Sequence, residues 1–355
     1  MTSAPAIVAL CRAGFEPECA QDLLALAGPA HPAAPHVSVP GVVALPLPAS
    51  MTHAFVSDAL ASQPPIFARE VCMGAGPHAL GDRDRISPIV DAARTLGVQC
   101  GVLWLEFPDT NDGKQLSSMC RRLEPLLRDA LIASRHLTAA ENVRLPRLHV
   151  VFTSKQEAYV ATSAPRWNSA WPMGIPRLKM PHDAPSRSTL KLAEAFETFL
   201  TDDERLRLLR PGLRAVDLGA APGGWTWQLA YRGLRVTAVD NGPMKGSVTD
   251  DPLVTHLRDD GLTWRPKRPV DWLVCDIVLQ PIRIAELVAR WIADGAARRA
   301  IFNLKLPMKK RYEEVKRCET RMREIVDGAS VKADLRVRQL YHDREEVTGY
   351  LARID

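Results

Sequence analysis

One stretch of the chain, residues 213–229 (LRAVDLGAAPGGWTWQL), restricts the possible folds more than any other. An apolar segment with Val216 and Leu218 runs into a turn that holds three glycines and a proline within six residues, and an amphipathic segment follows. Glycines let a ligand approach bare backbone, and a helix that follows such a turn offers free N–H groups there. The pattern predicts a strand, a tight turn and a helix start with a ligand at the turn; an ordinary turn without a ligand is the alternative.

Two kinds of nucleotide-like ligand are bound at turns of this type. The dinucleotide pattern G-x-G-x-x-G places a pyrophosphate at the helix N-terminus. Here the glycines are Gly219, Gly223 and Gly224, so the middle glycine of that pattern is missing. The observed V-D-L-G-x-x-P-G-G-W resembles motif I of the S-adenosylmethionine-dependent methyltransferases, most closely the FtsJ-like RNA ribose methyltransferases. The resemblance implies S-adenosyl-L-methionine as the cofactor and a Rossmann-like domain.

The composition is that of a globular protein with more than one domain. A chain of 355 residues, with 46% hydrophobic and 25% charged residues, suits two or three domains. The net charge of +5 permits an anionic partner without requiring one. The seven cysteines are scattered and never form C-x-x-C pairs, and no H-E-x-x-H pattern occurs. We therefore expect no disulfide framework and no metal site, in a soluble protein of a reducing cytoplasm.

The first half of the sequence predicts alternating strands and helices without a glycine-rich turn or a catalytic cluster. The predicted strands are 7–11, 37–47, 66–73, 102–107, 148–153 and 158–161, and the predicted helices are 16–26, 51–60, 85–96 and 114–134. We expect a ferredoxin-like α+β unit over residues 1–62. The unit over residues 63–164 resembles a THUMP domain, the RNA-binding attachment of several RNA-modifying enzymes. A structural or dimerising domain is the alternative.

Residues 165–188 are predicted to be a linker, because five prolines interrupt any regular periodicity. Cations alternate with tryptophans in this segment, a combination that suits phosphate neutralisation and base stacking. The cations proposed to contact RNA are Arg166, Arg177 and Lys179. A solvated linker, with its tryptophans packed at a domain interface, explains the same residues.

Residues 189–355 predict a catalytic domain of the α/β class, a doubly wound and mostly parallel sheet. After the strand of the glycine turn, the predicted strands are 234–239, 254–257, 271–275, 300–304, 332–340 and 346–353, with helices at 189–200, 284–292 and 310–326. Ligands of such sheets bind at the carboxyl ends of the strands. Asp240 ends the second strand, where a carboxylate can accept hydrogen bonds from two ribose hydroxyls. Asp260 is placed for an adenine amino group, although Asp259 could replace it and both could be turn residues.

Four charged residues that are distant in sequence are expected to meet at this sheet edge. Asp276 and Lys305 each end a predicted strand, Lys191 lies in the helix before the sheet, and Glu346 opens the last strand. The set is similar to the Lys-Asp-Lys-Glu set of FtsJ-like ribose 2'-O-methyltransferases. A ribose hydroxyl is a poor nucleophile, so methyl transfer requires alignment and removal of a proton. We expect Lys305 to be the base, with its pKa lowered by burial beside Lys191.

The two carboxylates of this set would orient the amines, and Asp276 would also face the methionine end of the cofactor.

Other methyl acceptors fit the residues less well. Methylation of an exocyclic amine normally uses D/N-P-P-Y/F/W after the fourth strand, where this chain has Asp276-Ile-Val-Leu. Methylation of cytosine carbon 5 requires a nucleophilic cysteine at the edge. Cys275 is adjacent, but strand alternation points it away from Asp276, and a small buried hydrophobe is the stronger interpretation.

Further segments are similar to one branch of this family, the enzymes that methylate large-subunit ribosomal RNA. They are residues 10–16, 173–179, 186–191, 241–244, 303–315 and 340–347. The resemblance covers nearly the whole chain, and it implies 2'-O-methylation of one cytidine in bacterial 23S rRNA by a cytoplasmic monomer. It also implies that the cofactor is contacted by Ser188, Gly219, Ala221, Pro222, Gly223, Gly224 and Trp225. Ala221 departs from the family, which can carry cysteine there.

Three consecutive cations, Lys309, Lys310 and Arg311, follow the strand that ends in Lys305. They suit phosphate contacts with RNA beside the active site, and a solvated helix start explains them equally well.

Two other functions are alternatives to RNA ribose methylation. One is a non-catalytic RNA-binding protein with a decayed methyltransferase fold, and the other is a methyltransferase for a different RNA or for a small hydroxylated molecule.

Overall fold

The computed structural model of the protein describes residues 5–28, 33–48, 52–167 and 169–354. The chain forms two compact units, Met1–Pro176 and Arg177–Asp355. The division falls inside the predicted linker. Among the described residues no helix is both long and apolar enough to cross a membrane.

The described residues of the first unit form a seven-stranded sheet with helices packed against it. The elements are β1 (Pro5–Cys11), α1 (Glu16–Ala27), β2 (His36–Val39), β3 (Val42–Pro46), α2 (His53–Ser62), β4 (Ala68–Ala79), α3 (Ile86–Thr95), β5 (Val102–Glu106), α4 (Asn111–Lys114), α5 (Ser117–Ala133), β6 (Arg147–Phe152) and β7 (Glu157–Ser163). The strand order is β2-β3-β1-β4-β7-β6-β5. Neighbouring strands are antiparallel except β5 and β6, which are parallel.

The elements from β1 to β4 follow the β-α-β-β-α-β order of a ferredoxin-like unit. The prediction of one strand over residues 37–47 is wrong, because Gly41, with a φ of +85°, turns the chain between β2 and β3. Strand β4 pairs with β1 on one side and with β7 on the other. The predicted boundary between residues 62 and 63 therefore separates β4 from the strand β1 with which it shares a sheet.

The second unit is a doubly wound sheet, as predicted. Its elements are α6 (Thr189–Phe199), α7 (Asp202–Leu208), β8 (Arg214–Leu218), α8 (Gly224–Ala230), β9 (Arg235–Val239), β10 (Val254–Leu257), β11 (Val270–Cys275), α9 (Pro281–Ala293), β12 (Ala297–Lys305), α10 (Arg311–Gly328), β13 (Ala333–Arg338) and β14 (Glu346–Arg353). The strand order is β10-β9-β8-β11-β12-β14-β13. In this order, the five strands from β10 to β12 are parallel to one another, and β14 is antiparallel to both of its neighbours, β12 and β13.

The order of strands reverses between β8 and β11, which places the ligand crevice of such a sheet at the carboxyl ends of these two strands.

One helix of this unit, α7, was not predicted, although its N-terminus carries a clear signal. Thr201 and Glu204 form a reciprocal capping box with each other's backbone, and the spacing T-x-x-E is the known signature of that motif.

Candidate active site

The glycine turn joins β8 to α8, as predicted. Gly219 has a φ of +75° and Gly223 a φ of +112°, which side chains rarely tolerate. A Cβ at Gly219 would lie 2.6 Å from the side chain of Ile277, which follows β11, and a Cβ at Gly223 would lie 2.6 Å from Val248. The turn therefore needs glycine at both positions, and it lies against the end of β11.

Asp240 follows β9 and holds the turn through two backbone groups. Its carboxylate accepts the N–H of Ala221 at 3.0 Å and the N–H of Gly242 at 2.6 Å. A carboxylate offers about four acceptor positions, so this half-buried group keeps acceptor capacity for a ligand. The predicted place of Asp240, at the carboxyl end of the strand next to β8, is confirmed.

A second carboxylate, Asp217, lies beneath the turn and was not singled out from the sequence. It is 1% exposed, and its Oδ2 accepts the hydroxyl of Thr226 at 2.6 Å. Its Oδ1 has no hydrogen-bond partner among the residues that the structure describes. Burial raises the pKa of Asp217 to about 7, the Thr226 hydrogen bond opposes this, and the charge of Asp276 adds to it.

The four charged residues predicted to meet do so at the carboxyl edge of the sheet. Lys305 and Glu346 are directly opposite each other in the antiparallel pair β12 and β14, and the amine donates to Glu346 Oε2. Lys305 Nζ also donates to Asp276 Oδ1 at 3.0 Å. Lys191 Nζ donates to Glu346 Oε1 and lies 3.8 Å from Asp276 Oδ2. Each lysine thus contacts both carboxylates.

The electrostatics of this cluster differ from the prediction. Burial lowers the pKa of Lys305, but the charges of Asp276 and Glu346 outweigh burial and raise the pKa above its usual value. The predicted lowering by Lys191 is wrong, because Glu346 lies between the two amines and binds both. Burial raises the pKa of Glu346, and the two lysines bring it below its ordinary value. At neutral pH the set therefore contains a protonated Lys305 and an ionised Glu346.

A buried chain of hydrogen bonds leads away from Asp276 and was missed in the sequence. Asn303 Nδ2 donates to Asp276 Oδ1 at 2.9 Å, and Thr348 donates its hydroxyl to Asn303 Oδ1 at 2.8 Å. The Thr348 oxygen also lies 3.1 Å from Asp343 Oδ1. Asn303, Thr348 and Asp343 are each 0% exposed.

The direction of this series of hydrogen bonds depends on whether Asp343 is protonated. Burial raises its pKa well above the usual range, and the charge of Glu346 adds to the effect. A protonated Asp343 donates to Thr348, which leaves the threonine proton for Asn303 and the amide protons for Asp276. The signal for these residues was strand periodicity, since Asn303 is two positions from Lys305 and Thr348 is two positions from Glu346.

Helix α6, which carries Lys191, is joined to the loop before β14 by another buried carboxylate. Glu194 is 2% exposed, and it accepts the backbone N–H groups of Tyr341 and His342 at 2.7 and 2.8 Å. It also binds the His342 ring at 2.6 Å. This contact fixes Lys191 relative to the strand of Glu346.

The other predicted cofactor residues have mixed surroundings. Ser188 is half-buried, and its hydroxyl is 2.6 Å from that of Ser186. The ring of Trp225 is a core side chain, 3% exposed, whose N–H donates to the Ser188 carbonyl at 3.1 Å; only its backbone is left for a cofactor. Asp260 is exposed, and it accepts the N–H of Leu262 at 2.9 Å, which is the behaviour of a turn residue.

The predicted RNA-contacting cations divide into those with a carboxylate partner and those without an ion pair among the residues that the structure describes. Arg166 donates to Ser57 and to Asp58 of α2, each at 2.7 Å. Arg311 pairs with Glu345 at 2.8 Å. The cations without such a partner are Arg177, Lys179, Lys309 and Lys310, and all four are exposed.

Cys275 is not a nucleophile in this structure. It is 0% exposed, and burial raises the pKa of its thiol to about 12. Because the thiolate is the reactive form, the structure offers no cysteine for cytosine carbon-5 methylation at this edge. Within the described ranges no three metal-ligating side chains form a group that could hold an ion.

Comparisons with known proteins agree with this geometry. Residues 84–164 match the family profile of the N-terminal region of ribosomal RNA large subunit methyltransferase M, and residues 184–315 match that of the FtsJ-like methyltransferases. Ribosomal RNA large subunit methyltransferase M of Methylococcus capsulatus is 49% identical over 359 residues, 99% of each chain. The Laribacter hongkongensis protein of the same name is 54% identical over 287 residues, 81% of this chain and 80% of its own.

Among solved structures, Aeropyrum pernix fibrillarin in complex with S-adenosyl-L-methionine is similar at 16% identity and a TM-score of 0.34, over 60% of this chain and 85% of its own. The near full-length sequence relatives carry the assignment. The chain belongs to the ribosomal RNA large subunit methyltransferase M family, with an FtsJ-like catalytic domain.

Proposed function

We propose that the protein transfers a methyl group from S-adenosyl-L-methionine to the ribose 2'-hydroxyl of a cytidine in 23S rRNA, with Lys305 as the general base. The observation that carries the proposal is the meeting of two lysines and two carboxylates at the end of β11 and β12. The glycine turn lies next to this cluster, since Gly219 approaches Ile277, the neighbour of Asp276.

The residues around the turn fit the cofactor. Asp240 keeps acceptor capacity for the two ribose hydroxyls, and Asp276 places a carboxylate at the sheet edge where a positively charged sulfonium is favoured. When bound, S-adenosyl-L-methionine supplies an electrophilic methyl group on that sulfonium. The remaining proposed contacts are Ser188, Gly219, Ala221, Pro222, Gly223, Gly224, the backbone of Trp225, and Asp260.

The chain's own residues handle the proton. As the 2'-oxygen forms its new bond to carbon, its proton passes to Lys305 Nζ, which must first have released a proton to solvent. Asp276 and Glu346 hold this amine in place, and Lys191 holds Glu346 from the other side. Asn303 fixes the oxygen of Asp276 that binds Lys305. The contribution of the protein is alignment of the amine and the hydroxyl.

RNA contacts are proposed for both parts of the sequence. The segment 63–164 is proposed to be a THUMP-like RNA-binding domain, after the ferredoxin-like segment 1–62 and before the linker 165–188 and the catalytic domain 189–355. Exposed Arg177, Lys179, Lys309 and Lys310 would contact phosphates. Arg166 and Arg311 would do so only by exchanging their present carboxylate partners. The proposed setting is a bacterial cytoplasm, and the proposed state is a monomer.

The test replaces Lys305 by alanine and uses Lys332→Ala as the matched control, because Lys332 is an exposed lysine of the same unit with no proposed contact to RNA or cofactor. Both variants are incubated with methyl-labelled cofactor and unmodified 23S rRNA, and cofactor affinity is measured by calorimetry. We expect Lys305→Ala to lose methyl transfer and keep cofactor binding, while Lys332→Ala still transfers methyl groups.

The position of the label completes the test. Nuclease digestion and mass spectrometry should place the methyl group on the ribose of a cytidine. Label on a base or on another nucleotide would overturn the proposed acceptor, and unchanged turnover of Lys305→Ala would remove Lys305 from the role of base. A wild-type protein that binds the RNA but transfers no label would favour a non-catalytic RNA-binding protein.

A further inference from the structure

The second unit has a groove at the end of the sheet opposite to the active site. The cavity has a volume of about 590 Å³, and its lining includes Arg214, Arg235, Thr237, Thr255, Lys267 and Arg268. Arg214 and Arg235 are the first residues of β8 and β9. In contrast, Asp276 follows the last residue of the parallel strand β11, and Lys305 is the last residue of β12. We call this feature the amino-edge groove.

The groove exists because one connection lacks a helix. In a doubly wound sheet, helices normally cover both faces. Here residues 258–269, which join β10 to β11, contain turns and irregular chain only. Val216, Thr237 and Thr255 are neighbours in register across β8, β9 and β10, so they share a sheet face. Thr237 on β9 and Thr255 on β10 place two hydroxyl groups on this face. A sheet face that is covered by a helix normally carries aliphatic side chains instead.

The charged side chains that line the groove have one sign. Its lining contains four cations, Arg214, Arg235, Lys267 and Arg268, and no carboxylate. All four are exposed, and none has an ion-pair partner within the part of the chain that the structure describes. The Asp271 carboxylate accepts the backbone N–H of Arg214 at 2.9 Å and does not pair with its guanidinium. A concave surface of this kind attracts anions.

The cations are held together by the fold. Arg214 and Arg235 are paired residues of adjacent parallel strands. The guanidinium of Arg214 donates to the carbonyl of Pro269 at 2.7 Å, which ties β8 to the segment that carries Lys267 and Arg268. Several cations beside two hydroxyl donors suit a run of phosphates, because Arg, Lys and Thr are common donors to phosphate oxygens.

We propose that the amino-edge groove binds the sugar-phosphate backbone of the substrate RNA, away from the nucleotide that is methylated. This inference rests on the proposed function for the identity of the RNA. Strand β8 has five residues, so the two ends of the sheet are roughly 13 Å apart at about 3.3 Å per residue. At about 3.4 Å per stacked nucleotide, the contacted phosphates lie at least roughly four nucleotides from the target ribose.

The test removes three groove cations together, Arg235→Ala, Lys267→Ala and Arg268→Ala, and leaves Arg214 because of its structural bond. The control removes three exposed cations elsewhere in the same unit, Arg317→Ala, Arg323→Ala and Lys332→Ala, so the net charge is the same. Full-length variants are titrated with a fluorescent, unmodified 23S rRNA fragment at salt concentrations from about 50 to 200 mM.

We expect the groove variant to bind this RNA about tenfold or more weakly, with a salt slope smaller by about 2 to 3, because each lost phosphate contact removes about 0.7 to 0.9 from that slope. The control should change much less. Methyl transfer by the groove variant should show a raised KM for RNA and an unchanged kcat at saturating RNA, with cofactor affinity and Tm like the wild type.

An RNA affinity and salt slope of the groove variant equal to those of the control would overturn the proposal. A failure of the groove proposal can be distinguished from a failure of the proposed function. If the wild-type protein binds the RNA through these cations but transfers no methyl group, the catalytic assignment fails and the groove stands. If the wild-type protein methylates the RNA and the groove variant binds it normally, the groove assignment fails alone.

Discussion

Replacing Thr348 by valine should slow methyl transfer while leaving the shape of the buried site nearly unchanged. Thr348 stands between Asp343 and Asn303, and Asn303 binds the Asp276 carboxylate. Valine has the shape of threonine without the hydroxyl. In the wild type the Thr348 hydroxyl donates to Asn303 Oδ1 at 2.8 Å and keeps this oxygen turned away from Asp276. Valine removes that hydrogen bond. The amide is free to rotate, and its hydrogen bond to Asp276 is no longer enforced.

The size of the effect follows from the bonds that are lost. A hydrogen bond to a charged group contributes about 1.5 to 3 kcal/mol, so loss of the Asn303 bond to Asp276 should slow the chemical step roughly 10- to 150-fold. Two buried polar groups, on Asn303 and Asp343, also lose a partner. At about 1 to 3 kcal/mol each, the free energy of unfolding should fall by about 2 to 6 kcal/mol.

The assay is single-turnover methyl transfer at saturating cofactor and RNA, with unfolding followed separately by urea titration. Asp343→Asn is the matched control. A protonated Asp343 donates to Thr348 and accepts the Leu340 N–H at 2.9 Å, and asparagine can do both. Its transfer rate should therefore stay close to that of the wild type. The reasoning is refuted if Asp343→Asn is as slow as Thr348→Val, since that result requires an ionised Asp343, or if Thr348→Val keeps the wild-type rate.

Two further predictions concern pH. Asp217 has a pKa of about 7 in the folded protein, whereas an aspartate in an unfolded chain has a pKa of about 3.9. From about pH 4 to pH 7 the unfolded chain therefore loses this proton first, and the folded protein loses stability as pH rises. Asp217→Asn should therefore gain up to about 4 kcal/mol over the wild type between these limits; an equal difference in unfolding free energy at acid and alkaline pH would contradict this. Because the pKa of Lys305 is raised, the rate at saturating substrates should increase with pH through the alkaline range, and a rate that is flat from about pH 7 to pH 9 would exclude Lys305 as the base.

Part of the site was predictable because three of its residues, Lys305, Asp276 and Asp240, have a local signal in the sequence. Lys305 ends a predicted strand, Asp276 follows one, and Asp240 does the same next to the glycine turn. Parallel strands bring such positions to one edge, so topology alone gathers them. Lys191 and Glu346 came from resemblance to the FtsJ-like family, since nothing in their local sequence distinguishes them from surface charges.

The parts that were missed depend on pairing between distant strands. Asn303 meets Thr348 only because β14 pairs with β12 in one particular register, and a single sequence does not contain that register. The same pairing explains the error in the pKa of Lys305, because it sets Glu346 between the two amines. The amino-edge groove was missed for a different reason, since a missing helix leaves no pattern to detect.

The place of β14 in the sheet has a consequence for synthesis of the protein. β14 follows β13 in the chain, yet it lies between β12 and β13. While a ribosome is still adding residues before position 346, the edge of β12 that ends in Lys305 therefore has no partner strand. A nascent chain of that length carries both lysines and Asp276 but lacks the acid that joins them. The cluster of two lysines and two carboxylates is therefore complete only when β14 has emerged and docked between β12 and β13.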